Sequence, residues 1–394
     1  MYPIIPDHLE NEIALRTEEI HSQLERHELD AVLITSNANI FYASARYFRG
    51  YILVTRESAP IYFVVKPSQL EGANTVYIRK PEQIPDEMAK LGIPIPAAIG
   101  LEYDAMTYTE IERLKKVFAA SEIRNGSGVL RNARMVKTEY EIEQMKEDAR
   151  HQMAVYERIP KLWVEGMSDV ELQIAIEHDL RLEGALGYTR TFGAQMEINC
   201  GSLLVGDNAD VPSPYDFSMG GEGMSPALPV GASGEIIRTG MTVMVDMSGA
   251  FNGYQSDLTR TWRVGDVPEI AMKSHECSRR ILREMEAMAR PGVMTCDLYN
   301  RAMEIAGEEG LADYFMGHCQ QVAFIGHGVG IDLNESPVLT PRGKEKLEAG
   351  MTIAIEPKFV IPGVGATGVE NTYVVREDRL ENITNFPEEL ANLE

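Results

Sequence analysis

The sequence predicts two domains, a small α/β domain followed by a larger α+β domain whose antiparallel sheet carries helices on one face. Three observations support this. At 394 residues the chain is too long for one ordinary core. Strand-like and helical stretches alternate as far as the glycine-bearing NGSG at 125–128. Beyond it, residues 187–265 and roughly the last 70 residues are glycine-rich and strand-like, with helical stretches between them. The boundary is placed between residues 133 and 134.

Each element has its own signal. Residues 7–28 predict an amphipathic helix with Ile13, Ile20 and Leu24 on the apolar side. DAVLITS (30–36) and NIFYAS (39–44) read as strands, and YILVTRE (51–57) and APIYFVV (59–65) as a pair around a short turn. AAIGLEYD (97–104) is a further strand, followed by a helix from Thr107 to about Ala119. A long charged helix begins at 137, where Thr138 and Glu141 form a capping box. A second helix spans 168–184 with Ser168 as its cap, and others span 267–289 and 295–310.

Composition narrows the function. The chain is 44% hydrophobic and 25% charged, as expected of a soluble globular protein. A formal charge of −23 disfavours nonspecific binding to nucleic acid or an anionic membrane. Cys200, Cys277, Cys296 and Cys319 are scattered without a CxxC pair, which fits a reducing compartment. MYPIIPDHLENEI lacks the pattern of a signal peptide, and no apolar run reaches the ~18 residues of a membrane span. A cytoplasmic protein is expected.

The stretch VDMSGAFNGYQSDLTR (245–260) holds Asp246 and Asp257 on either side of Asn252-Gly253, a strong hairpin signal. With the turn there, Phe251 pairs with Tyr254, Ser248 faces Asp257, and Asp246 faces Thr259. The two aspartates then share a face as diagonal neighbours about 7–8 Å apart. Carboxylates that close repel unless something positive lies between them, and a divalent cation is the simplest such group. The competing reading, two solvated aspartates, is weakened by the apolar VMV around the strand.

Three more residues join them. His327 in IGHGVGIDLNESP is flanked by glycines and open to a ligand. Glu356 ends the apolar strand IAIEPKFV, and Glu370 opens another in ATGVENTYVV. Singly, each is as readily a turn histidine or a surface glutamate. Together, four carboxylates and one imidazole suit two divalent ions.

VDMSGAFNGYQSDLTRTW, GHGVGIDLNESP, TIAIEPKF and GVENTYVV, with VLRNARMVKTEYEIEQM ahead of them, resemble the pita-bread metallopeptidases of peptidase family M24. That family includes methionine aminopeptidase, aminopeptidase P, prolidase and their relative creatinase. DAVLITSNANIFYASARYFRG is similar to the start of the N-terminal domain of prolidases and creatinase. The resemblance covers nearly the whole chain and implies a creatinase-type domain over 1–133 and a pita-bread catalytic domain over 134–394. It implies Asp246, Asp257, His327, Glu356 and Glu370 as ligands of two divalent ions, with Asp257 and Glu370 bridging. The ions would be manganese, cobalt, iron or zinc. Two such ions about 3.5–4 Å apart can hold a water, lower its pKa and polarise a carbonyl. Glu356 could then accept the water's proton. The implied activity is hydrolysis of the amide bond before proline by a homodimeric dipeptidase or aminopeptidase.

Three positions depart from the family. Asn334 stands where the peptidases carry a histidine seven residues after the ligand histidine. A second histidine, upstream of the first aspartate, aligns with either Ser213 or Val230. Gly368 replaces an arginine two residues before the last glutamate. Asn334 can still donate a hydrogen bond but carries neither proton nor charge. Two readings follow: a peptidase with its own donors, from PSPYDF with Ser213 and Tyr215 or from GGEGMSP, or a metal-dependent hydrolase or lyase of a small non-peptide molecule; His318 reads as structural or as a replacement for a missing histidine. The long Gly/Pro-rich insert at 205–235 reads as a lid or specificity loop, or as a surface excursion. Arg46, Tyr47 and Arg49 could receive a substrate carboxylate in a creatinase-like dimer, or cover the domain interface.

Overall fold

The computed structural model describes residues 2–193, 196, 198–215 and 217–393. It separates into two compact units, Met1–Arg134 and Met135–Glu394.

The first unit contains α1 (Glu10–Arg26), β1 (Ala31–Ile34), α2 (Asn37–Ser44), β2 (Arg49–Thr55), β3 (Ile61–Lys66), β4 (Thr75–Tyr77), α3 (Ile84–Lys90), β5 (Ala98–Leu101), α4 (Tyr108–Val117), β6 (Glu122–Asn125) and α5 (Ser127–Met135). Its six-stranded sheet runs β4-β3-β2-β1-β5-β6 and is mixed. β1 and β5 are neighbouring inner strands, four-residue apolar runs buried throughout, which is the pattern of a strand covered on both faces.

NIFYAS, expected as a strand, lies in the helix α2. The reason is a carboxylate some sixty residues away. Buried Glu102 accepts hydrogen bonds from the backbone N–H groups of Thr35 and Ser36, the Ser36 hydroxyl and the Asn39 amide. Those bonds fix Ser36 as the helix cap, and Ala45 at φ 54° ends the helix. No local pattern in the six residues reports a partner that distant.

The second unit begins with α6 (Glu139–Tyr156), opened by the capping box expected at Thr138 and Glu141, and α7 (Asp169–Glu183), whose expected cap Ser168 forms a capping box with Glu171. β7 (Gly201–Val205), β8 (Thr242–Gly249) and β9 (Ser256–Arg263) follow, then α8 (Glu269–Met288) and α9 (Thr295–Glu308). The remainder comprises β10 (Gly326–Gly328), β11 (Glu335–Val338), β12 (Thr352–Ile355), β13 (Lys358–Ile361), β14 (Gly365–Gly368), β15 (Asn371–Val375) and β16 (Leu380–Asn382).

Where one antiparallel sheet was expected, there are two larger sheets and a hairpin. β9-β8-β7 form one, edged by the short parallel strand Ala391–Asn392. β11-β10-β12-β15-β16 form the other, and β13 pairs with β14. α6 and α7 pack their apolar sides on the first sheet through Tyr156, Leu172, Ile176, Leu203, Val245 and Leu258. α8 and α9 cover the second through Ile281, Met285, Leu298, Ile305, Ile353 and Tyr373. A bridge between Thr259 and Glu370 joins β9 to the head of β15, so the two sheets meet there. Among the described residues no helix is long and apolar enough to cross a membrane.

The β8–β9 register is the one counted from the Asn-Gly turn: Asp246 faces Thr259 and Ser248 faces Asp257. The tip differs. Pairing stops at Gly249 and Ser256, so Phe251 and Tyr254 do not pair, and of the two turn residues only Gly253 takes positive φ, 95°. Asp148 on α6 opens the tip by accepting from the Phe251 N–H at 2.6 Å, the Ser256 N–H at 3.0 Å and the Ser256 hydroxyl at 2.8 Å. A Cβ at position 249 would lie 2.2 Å from the Asp148 carboxylate, so this approach requires glycine.

Burial pushes the Asp148 carboxyl up to about 7, although its donors from Phe251 and Ser256 oppose the shift. The folded protein therefore binds this proton more readily than the unfolded chain. The resulting stabilisation is full below the ordinary value of 3.8 and is lost as pH rises through about 7. In urea denaturation at a series of pH values, wild type is expected to lose on the order of a few kcal/mol relative to Asp148→Asn across that window. A difference independent of pH would refute the assignment.

Candidate metal centre

Asp246, Asp257, His327, Glu356 and Glu370 all line one cleft of about 550 Å³ in the second unit. Asp246 and Asp257 come from β8 and β9, and His327 from β10, opposite Ala354 of β12. Glu356 follows β12 directly, and Glu370 precedes β15. Asp257, Glu356 and Glu370 are at most 4% exposed.

Lys358, which the sequence reading passed over, lies at the middle of these carboxylates. Its Nζ donates to Asp246 Oδ2 at 2.8 Å, Glu356 Oε2 at 2.8 Å and Glu370 Oε2 at 2.9 Å, with the Ser218 hydroxyl 3.2 Å away. The side chain is fully buried. Burial favours a neutral amine, but Asp246, Glu356 and Glu370 outweigh it and hold the ammonium well above its ordinary range. Burial also pushes Asp257 up to about 7, helped by Asp246, and raises Glu370, helped by Asp257. Asp257 and Glu370 therefore give up their protons less readily than free carboxyls.

The other side of the cluster is arranged differently. His327 donates from Nδ1 to the Gly328 carbonyl at 3.1 Å, which leaves Nε2 as an acceptor facing the cleft. Nε2 stands 3.7 Å from both Asp257 Oδ2 and Glu356 Oε1, too far for a hydrogen bond. One donor atom each from Asp257, His327 and Glu370 lie within 4.8 Å of one another. Glu370 Oε1 is buried without a hydrogen-bond partner. An unpartnered carboxylate oxygen beside an imidazole lone pair fits a divalent ion. Lys358 engages one oxygen on each of three of the four carboxylates that the sequence offered to two ions.

Two further side chains hold Glu370 in place. The Thr259 hydroxyl donates to Glu370 Oε2 at 2.7 Å. Arg260, 2% exposed, donates to the carbonyls of Thr259 and Glu370 and to Asn371 Oδ1, each at 2.8 Å, and to Pro387 and Phe386 at 2.7 Å. Period-two alternation away from Asp257 carried the signal for Thr259, while Arg260 points to the opposite side.

The other expected residues are placed variously. Asn334 and Val230 line the cleft, with Phe217, Ser218 and Met219 from the insert, so the insert forms a wall. The Asn334 amide is engaged: Oδ1 accepts from the Phe192 N–H at 2.7 Å and Nδ2 donates to the Phe192 carbonyl at 3.3 Å. Ser213, Tyr215 and His318 are not among the cleft-lining residues but border a small neighbouring depression. There His318 bonds Asp210 at 2.8 Å and stacks on Tyr314, so it does not replace a histidine at the centre. Arg46, Tyr47 and Arg49 belong to the first unit, where Tyr47 stacks on Phe41.

This fold and acidic cleft define a metallohydrolase. Residues 143–377 match the metallopeptidase family M24 and residues 16–136 the creatinase/prolidase N-terminal domain. The chain belongs to metallopeptidase family M24, a family whose members carry divalent ions, and is a hydrolase of the peptidase type. It is 28% identical over 375 residues to the Xaa-Pro dipeptidase of Pyrococcus horikoshii, covering 93% of this chain and 96% of that one. It is 26% identical over 388 residues to the Xaa-Pro dipeptidase of Pyrococcus furiosus, covering 95% and 99%. Among solved structures, the fold is similar to the prolidase of Pyrococcus horikoshii, with TM-score 0.77 and 24% identity over 95% of this chain and 99% of that one. It is also similar to the Xaa-Pro dipeptidase of Bacillus anthracis, with TM-score 0.80 and 24% identity over 96% and 99%.

Two outcomes are expected. Asp257→Ala should abolish uptake of divalent ion in metal analysis of dialysed protein, and unchanged stoichiometry would contradict a ligand role. Arg260→Ala strands several buried carbonyls and should lower stability by on the order of 3–5 kcal/mol in denaturant titration.

Proposed function

We propose that the chain hydrolyses the amide bond before proline in a dipeptide or short peptide. The observation that carries this reading is near full-length similarity to two Xaa-Pro dipeptidases, in a chain whose acidic side chains meet in one cleft. A divalent ion held by Asp257, His327, Glu356 and Glu370 would supply the Lewis acid that polarises a scissile carbonyl and acidifies the attacking water, manganese being the first to try. Glu356 accepts the water's proton and passes it to the leaving amine. Phe192, Phe217, Met219, Val230 and Val338 form an apolar wall that suits a prolyl ring and excludes water. Asn334 positions that wall by pinning Phe192. A homodimer and a cytoplasmic setting belong to the same reading. Four free cysteines accord with the setting, and a monomer mass in light scattering would remove the dimer.

The second reading is hydrolysis of a small non-peptide amide. It is favoured by the engagement of Asn334, which leaves His327 as the sole imidazole among the described lining residues. A panel of Xaa-Pro and Xaa-Ala dipeptides separates the two. Hydrolysis confined to Xaa-Pro, lost on chelation and restored by manganese, is expected. Glu356→Gln should lower kcat by about 10²–10⁴-fold. Metal-loaded protein that cleaves no Xaa-Pro peptide would favour the second reading.

A further inference from the structure

We propose that the ammonium group of Lys358 stands in place of one divalent cation, so that the centre takes a single ion at Asp257, His327, Glu356 and Glu370. The proposal rests on the reading of the cleft as a metal centre, but not on its substrate.

Lys358 is placed as a ligand-bound cation would be. Its Nζ touches carboxylates from three separate segments at 2.8–2.9 Å and reaches no solvent. A divalent ion binding the same three oxygens at the usual ~2.0–2.6 Å would occupy the space of the ammonium group itself. The two exclude each other.

The backbone is built around this side chain. Lys358 opens β13 and pairs with Gly368, the last residue of β14. Gly368 has φ 147°, which favours glycine. A Cβ there would lie 2.7 Å from the Pro357 carbonyl, 2.9 Å from Lys358 Cα and 3.2 Å from Lys358 Cγ. The lost family arginine and the buried lysine are therefore one local arrangement: the bare position leaves room for the lysine stem.

What remains fits one ion. Donor atoms of Asp257, His327 and Glu370 already lie within 4.8 Å of one another, and Glu356 Oε1 faces His327 from 3.7 Å. Glu370 Oε1 has no partner. With all four carboxylates ionised, the ammonium leaves three negative charges, and one dication reduces these to one. A second dication would lie next to the ammonium and be repelled by it.

The test is manganese stoichiometry, which needs no substrate and can fail while the peptidase reading stands. Purified protein is stripped with chelator, equilibrated with manganese(II) chloride and measured by metal analysis and electron paramagnetic resonance. One manganese per chain, with the hyperfine sextet of an isolated ion, is expected. Two per chain with a spin-coupled spectrum overturns the proposal, as does none. Lys358→Ala clears the position, and a folded variant should rise to two per chain. A folded variant that stays at one also overturns it. The wild-type measurement decides alone where Lys358→Ala does not fold.

Discussion

Four carboxylates crowded into one cleft repel one another, and much of the second unit serves to hold them there. Each stands on a segment fixed by something other than the cluster. The β8–β9 ladder sets Asp246 and Asp257, and the Asp257 N–H donates to the Thr372 hydroxyl at 2.8 Å. Thr259 and Arg260, on opposite sides of β9, hold the side chain and the carbonyl of Glu370. Lys358 then neutralises part of the charge from within. The two sheets meet where that support is needed.

The sequence reading reached furthest where the information was local. Capping boxes at Thr138 and Ser168 place two helices because both partners lie within one turn. An Asn-Gly pair with period-two alternation yields the β8–β9 register. The meeting of five distant residues was legible only through resemblance, since spacing alone does not bring position 246 to position 370. What escaped had non-local causes. Glu102 turns NIFYAS into a helix, and Asp148 opens a hairpin tip that its own residues would have closed. Lys358 went unnoticed because a lysine inside IAIEPKFVI reads as an edge or surface residue until its burial is seen.

The departures from the family also separate by cause. Asn334 keeps a place in the cleft wall but gives its amide to the Phe192 backbone, so it shapes the cavity and does not stand in for an imidazole. Ser213, Tyr215 and His318 gather in a neighbouring depression, with His318 tied to Asp210. Val230 stays in the wall as an apolar contact. Beside its charged end the cleft is walled by Phe192, Phe217, Met219 and Val230.

The pairing of Lys358 with Gly368 has a consequence for how this chain can vary. Any side chain at 368 presses first on the Pro357 carbonyl and the Lys358 backbone, and then on the lysine stem. Shortening the lysine would relieve only the last of these contacts, and the positive φ at 368 would still favour glycine. The bare position is thus fixed by the backbone first, and the lysine stem inherits the space it leaves.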